Sequence, residues 1–288
     1  MSNVGDGWAR APPPSGPVLR RITNALYNPE EKSFLGRTPL RWAIVITFYL
    51  VFYAVLALLF SACMGGLLLT IDPKKPSFIL EKSLIGNNPG VAFRPLPDEG
   101  MVVEMDLANV TGQQYYINHL ELFLRSYKKA NRLPSSEICT TKDKFGYPET
   151  PCFFIKLNKI IGWEPVFYND ASNLPEDMPD FLRNHINSLE GSKRDQIWMN
   201  CWEEKTNETN IEYPWGYGLA AEHYPYVYDE DYLSPLLAIR LTPPVKMLVV
   251  IRCRFWAKNI IYNKSMKEPS GYTRIQLHIH NTTKGVEN

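Results

Sequence analysis

Hydrophobic positions follow three different patterns along this chain. From Trp42 to Ile71 they are continuous: 30 positions pass without an Asp, Glu, Lys, Arg or His, between Arg41 and Asp72. At ~1.5 Å per helical residue this run reaches about 45 Å, enough for a ~30 Å hydrocarbon core and both interfaces. A lone segment in lipid satisfies its backbone only as a helix, so the run predicts a transmembrane helix. Gln113 to Asn131 shows the second pattern. Tyr116, Ile117, Leu120, Phe123, Leu124 and Tyr127 share one face, predicting an amphipathic helix that ends at the basic pair Lys128-Lys129. A shorter helix is predicted around Asp180 to Leu189. The third pattern is a period of two. It predicts strands at Met101–Leu107, Phe153–Asn158, Ile197–Glu203, Pro235–Thr242 and Lys246–Ala257. It is strictest in Tyr272–His280, where Thr273, Ile275, Leu277 and Ile279 alternate with Arg274, Gln276, His278 and His280. Many strands with few helices predict an antiparallel β-sandwich, with residues 101–288 as its domain.

The remaining segments read as connections. Residues 1–41 form a tail whose first part, with Pro12-Pro13-Pro14-Ser15-Gly16-Pro17, buries too little apolar surface to order. A proline-rich docking site competes there with a passive tail. Asn28-Pro29-Glu30-Glu31 has the composition of a helix start. Residues 72–100 are rich in Pro, Gly and Asn and read as an extended stalk.

Charge orients the membrane run. The formal net charge is +1, but residues 1–41 hold six Lys or Arg against three acids, about +3, leaving about −2 for the rest. Positive flanks stay cytoplasmic, so the chain is read as an uncleaved signal-anchor of type II topology, its C-terminal part translocated. Asn-x-Ser/Thr sequons at Asn109, Asn207, Asn263 and Asn281 all follow the run and none precedes it. Cys63 falls within the run. Cys139, Cys152, Cys201 and Cys253 lie beyond it, an even set that an oxidising compartment favours and that permits three pairings.

Candidate chemistry is sparse. The chain lacks GxSxG, GxxxxGK[ST], HExxH and CxxC, so no catalytic residue, metal site or cofactor is expected, and no basic patch points to nucleic acid. His278 and His280 share a strand face, which is read as solvated rather than metal-binding. Asp229-Glu230-Asp231 matches the Asp-x-Asp of metal-dependent Golgi transferases, but a polar turn between Tyr228 and Tyr232 explains it better. Tyr213, Trp215, Tyr217, Tyr224, Tyr226 and Tyr228 crowd into 16 residues with prolines between them. That composition suits a contact surface or core filling equally. Within the membrane run Tyr49 and Tyr53 lie at i and i+4 beside Phe48 and Phe52. Small residues follow at Ala54, Ala57, Ser61, Ala62, Gly65 and Gly66, a pattern that admits a second helix and that a plain anchor also tolerates.

Several short strings, in order, resemble the beta subunits of sodium/potassium- and proton/potassium-transporting ATPases. They are Phe34-Leu35-Gly36-Arg37-Thr38, Phe48-Tyr49-Leu50-Val51-Phe52-Tyr53, Leu67-Leu68-Leu69-Thr70-Ile71 and Phe93-Arg94-Pro95. They continue in Phe123-Leu124-Arg125-Ser126-Tyr127-Lys128, the run from Pro151 to Trp163, Tyr232 to Ala238, and Arg252-Cys253. The resemblance implies a non-catalytic plasma-membrane subunit with a glycosylated immunoglobulin-like ectodomain. Such a subunit supports the folding, delivery and potassium affinity of a catalytic alpha subunit. Beyond that subunit and membrane lipid, a small single-pass regulatory subunit is an implied partner. The resemblance also implies alpha contacts at Tyr49, Phe52 and Tyr53 and at Tyr224, Tyr226 and Tyr228, and bridges Cys139–Cys152 and Cys201–Cys253. The chain departs from the family in lacking its first disulfide, and Tyr226-Val227-Tyr228-Asp229 stands where relatives carry Tyr-Tyr-Gly-Lys. A stand-alone adhesion or scaffold protein derived from the family is the alternative.

Overall fold

The computed structural model describes residues 17, 22–23, 26–29, 32–265 and 267–281. The chain divides into two compact units, Met1–Pro73 and Lys74–Asn288. In the first, β1 (Tyr27–Asn28) pairs antiparallel with β2 (Ser33–Phe34), and α1 follows over Pro39–Thr70. Asn28-Pro29 therefore does not start a helix. The chain turns at Leu35 and Gly36, whose φ values of 52° and 73° no α-helix accepts, and the proline that opens a helix is Pro39. Trp42 closes this turn, its Nε1 donating to the Phe34 carbonyl at 2.8 Å. The described part of the proline-rich stretch is Pro17 alone, so that expectation lies outside the described residues. Among these residues α1 is the one helix long and apolar enough to cross a membrane.

The second unit is built on two sheets. The five-stranded sheet has the order β4-β11-β10-β6-β8: β4 is Val102–Asp106, β6 Gln196–Glu203, β8 Gly218–Ala220, β10 Leu248–Trp256 and β11 Tyr272–His280. The four-stranded sheet has the order β3-β5-β9-β7: β3 is Val91–Arg94, β5 Cys152–Leu157, β7 Asn210–Glu212 and β9 Leu237–Thr242. One core takes side chains from both, among them Met199, Ile251, Phe255 and Leu277 from the first and Phe153, Ile155, Ile239 and Leu241 from the second.

One expectation needs correction. The domain is not wholly antiparallel, because β4 runs parallel to β11, with Val103 opposite Leu277. A parallel neighbour requires a long crossover, and α2 (Val110–Lys129) leaves β4 to begin one. Within residues 72–100, β3 pairs antiparallel with β5.

The alternation of β11 is realised in full: Thr273, Ile275, Leu277 and Ile279 are buried and their neighbours half-buried. Helix α2 starts three residues earlier than its apolar face suggests, because Asn109 caps it by accepting from the Gly112 amide. It buries Tyr116, Ile117, Leu120, Leu124 and Tyr127, and the Tyr127 hydroxyl donates to the Ser234 carbonyl. A second, smaller core lies under α3 (Asp180–Ser188), where Leu182 and Ile186 meet Trp198 and Trp256.

Bridges join Cys139 to Cys152 and Cys201 to Cys253. The second links residues directly opposite on adjacent strands β6 and β10. The first ties the loop before β5 to that strand, and Asp143 organises the loop by accepting from the Cys139 and Thr140 amides.

Candidate functional site

On α1, Tyr49 and Tyr53 stack at 6.1 Å between ring centroids, and Phe48 and Phe52 stack at 6.2 Å. The four rings form one continuous apron, since Tyr49 meets Phe48 and Tyr53 meets Phe52 edge-on. No side chain of α1 is buried, so the apron is free for lipid or another helix.

The aromatic run 213–228 resolves differently. Most of its rings are half-buried and pack against the interior. Tyr213 packs with Tyr217, and its hydroxyl accepts from the Cys201 amide at 2.8 Å, pinning the turn to β6. Trp215 lies 4.9 Å from Phe154, and Tyr217 rests on His185 of α3. Tyr224 is half-buried, edge-on to Trp163, and Tyr226 is buried against Tyr232. Lys159 reaches over both rings of that last pair and donates to the Tyr232 carbonyl at 3.0 Å. Val227 and Tyr228 are left facing solvent, Tyr228 at 45%. The run therefore lies mostly against the core as half-buried rings, and its tip is left exposed. Residue type did not separate the two roles, because Tyr and Trp serve both.

Burial pushes the Tyr224 and Tyr213 phenols up. Both stay neutral at physiological pH, as packed interior groups should. The Asp229 carboxylate accepts from the Asp231 amide at 3.0 Å, the geometry of a polar turn. His278 and His280 lie side by side, ring centroids 5.2 Å apart and planes tilted by 32°, on the half-buried face of β11. Among the described residues no three His, Cys, Asp or Glu side chains converge on a metal-sized site.

Sequence reading missed two carboxylates that organise the five-stranded sheet. Glu204 accepts from Arg252 Nε at 2.8 Å and from Arg274 Nε and Nη2 at 2.9 and 3.0 Å. Glu203 accepts from the Thr206 hydroxyl and from the Glu208 and Thr209 amides. Burial alone would raise both carboxyls. The hydrogen bonds outweigh it and hold them below their ordinary value of 4.5. A carboxyl depressed in the folded state binds protons more readily when unfolded. Its stabilisation is then full above the ordinary value and fades as pH falls through the folded value. Thermal melts should hold a plateau above about pH 5 and decline below it. Glu204→Gln should begin lower and decline less steeply; an unchanged acid slope would remove Glu204 as a contributor.

The sequons occupy distinct settings. Asn109 caps α2, and Asn207 is exposed in the turn between β6 and β7. Asn263 accepts from the Ser265 amide in a local turn. Asn281 is described and exposed at the end of β11, whereas Thr282 and Thr283 lie outside the described residues.

The family model for the sodium/potassium ATPase beta chain matches residues 15–144 and 134–275, spanning both α1 and the β domain. The chain belongs to the sodium/potassium ATPase beta chain family. Its similarity to sodium/potassium-transporting ATPase subunit beta-1 of Drosophila melanogaster is 36% identity over 286 residues, covering 89% of this chain and 92% of that one. Subunit beta-2 of the same organism is 34% identical over 305 residues, covering 92% and 94%. Subunit beta-2 of Mus musculus is 23% identical over 290 residues, covering 93% and 97%. Beta chains are the family's non-catalytic partners in the pump, and one N-terminal membrane-capable helix before a mainly β domain fits a single-pass membrane protein.

Proposed function

We propose that this chain is the non-catalytic beta subunit of a P-type sodium/potassium-transporting ATPase, pairing with a catalytic alpha subunit in the plasma membrane. The observation that carries the reading is a family match whose two overlapping pieces, 15–144 and 134–275, together run from before α1 to within β11. In this reading α1 is the anchor, residues 1–41 are cytoplasmic, and the two-sheet domain is an extracellular, glycosylated, immunoglobulin-like module. The basic flank, the placement of the sequons and the cysteine set support that orientation. The subunit would assist folding and delivery of alpha and tune its potassium affinity. Lipid surrounds α1, and a small single-pass regulatory subunit completes the proposed partners.

The apron of Tyr49, Phe52 and Tyr53 is the proposed docking strip within the membrane. A tyrosine hydroxyl in hydrocarbon requires an acceptor, and a neighbouring helix supplies one. Outside the membrane the proposed contact falls on Tyr228 at the tip, while Tyr224 and Tyr226 shape the segment from beneath. Tyr49→Ala with Tyr53→Ala should reduce alpha recovered by pull-down from native membrane roughly tenfold while insertion stays intact. Undiminished recovery would reduce α1 to a plain anchor. Delivery of the wild-type chain to the cell surface without any large ATPase partner would sink the proposal as a whole.

A further inference from the structure

The sequon Asn207-Glu208-Thr209 is closed by the fold although its asparagine faces solvent. Glu203, 8% exposed at the end of β6, holds the turn from within. One carboxylate oxygen accepts from the Thr206 hydroxyl, and the other from the Glu208 and Thr209 amides at 3.1 and 3.0 Å. Thr209 is itself 9% exposed, and its hydroxyl is shut off from solvent. Strand β7 begins at the next residue and is paired to β9, with Glu212 gripped by Arg240. Two of the three sequon amides and the one sequon hydroxyl are therefore sequestered together.

N-glycosyl transfer needs what this turn hides. The Asn carboxamide nitrogen attacks C1 of a polyisoprenyl-diphosphate-linked oligosaccharide. The N–C1 bond forms, the C1–O bond to phosphate breaks, the diphosphate leaves with its electron pair, and the carboxamide gives up one proton. The enzyme recognises the sequon through its hydroxyl residue, and the peptide must enter the active site as an open loop. Asn109 and Asn263 differ in this respect, since Thr111 and Ser265 are both exposed.

We propose that Asn207 is glycosylated only on the nascent chain, before the β6–β7 turn closes on Glu203, and that the folded domain is refractory at this site. The proposal rests on the translocated orientation argued above. It makes the Asn207 glycan a record of folding order: transfer must precede the pairing of β7 with β9, and thus the docking of the segment 237–242.

The test uses the full-length chain made without glycans and purified in detergent. It is incubated with eukaryotic oligosaccharyltransferase and a lipid-linked oligosaccharide, either native or reduced and unfolded, with occupancy read site by site by mass spectrometry. Asn207 should react at least about tenfold more slowly in the native chain than in the unfolded one, as expected of a segment that reacts only through local opening. Glu203→Ala should raise the native rate at Asn207 and leave Asn109 and Asn263 unchanged. Thr206→Ala, which removes one of the three bonds to Glu203, should do so to a lesser degree in a chain that keeps the Cys201–Cys253 bridge. Equal native and unfolded rates, or native rates at Asn207 unmoved by both variants, would overturn the proposal. Chain isolated from cells should carry glycan at Asn207; its absence there with glycan at Asn109 or Asn263 would also overturn it. Glycan at no sequon in cells would instead refute the orientation, and the proposal with it.

Discussion

Replacing Phe154 by alanine should destabilise the β domain by about 3–5 kcal/mol, the range for deleting a fully buried aromatic ring. Phe154 is completely inaccessible on β5, edge-on to Phe145 and 4.9 Å from Trp215. Its neighbour Phe153 is equally buried and faces the other way, so β5 is covered on both faces. Lys156, on the Phe154 face, reaches over the Phe123 ring of α2, as Arg94 does from β3. A cavity at Phe154 would thus lie where the loop 139–152, the turn 213–217 and β5 meet, and none of these can move in without breaking another contact. Against a typical total of ~5–15 kcal/mol, such a loss would leave the domain close to unfolding. Urea denaturation followed by tryptophan fluorescence reads the effect directly. A loss below about 1 kcal/mol would mean that Trp215 swings in to fill the space.

Removing the Cys201–Cys253 bridge by substituting both residues with serine should cost about 4 kcal/mol, against ~3 kcal/mol for Cys139–Cys152. The difference follows from loop size: the bridges close separations of 52 and 13 residues, and the longer loop restricts the unfolded chain more. In the folded state both cysteines of the longer bridge are already aligned by the β6–β10 ladder, so the native register should survive the substitution. The expected result is therefore a lower denaturation midpoint with the native circular dichroism retained. Equal losses for the two pairs would show that loop entropy does not govern their contribution.

Several elements were legible because their signals are local. The membrane run needs only continuous apolarity, and α1 occupies all of it but Ile71, with three further residues at its start. The face of α2 and the alternation of β11 each record one-sided burial, which repeats at 3.6 or 2 residues whatever the partner is. Strands β3, β7 and β8 escaped notice because three or four residues are too few to establish a period. At Asn28-Pro29 the composition of a helix start was overridden by the pairing of β1 with β2, which sets Tyr27 opposite Phe34 and Asn28 opposite Ser33. Glu203 and Glu204 carried no signal, since adjacent acids at a strand end look like solvated surface until their donors arrive from residues 206–209, 252 and 274.

The sequence by itself determined that one helix long enough to span a bilayer precedes a mainly β domain. It also held the strings that place the chain in the beta chain family. Only the tertiary structure decided that β4 lies parallel to β11 and which aromatic rings between Tyr213 and Tyr228 go inward. It alone closed the Asn207 sequon over a buried carboxylate. Periodicity and apolar runs arise from the environment of a single segment and are written into that segment. Strand partners, ring burial and access to a turn depend on residues far along the chain, which meet only when the core closes.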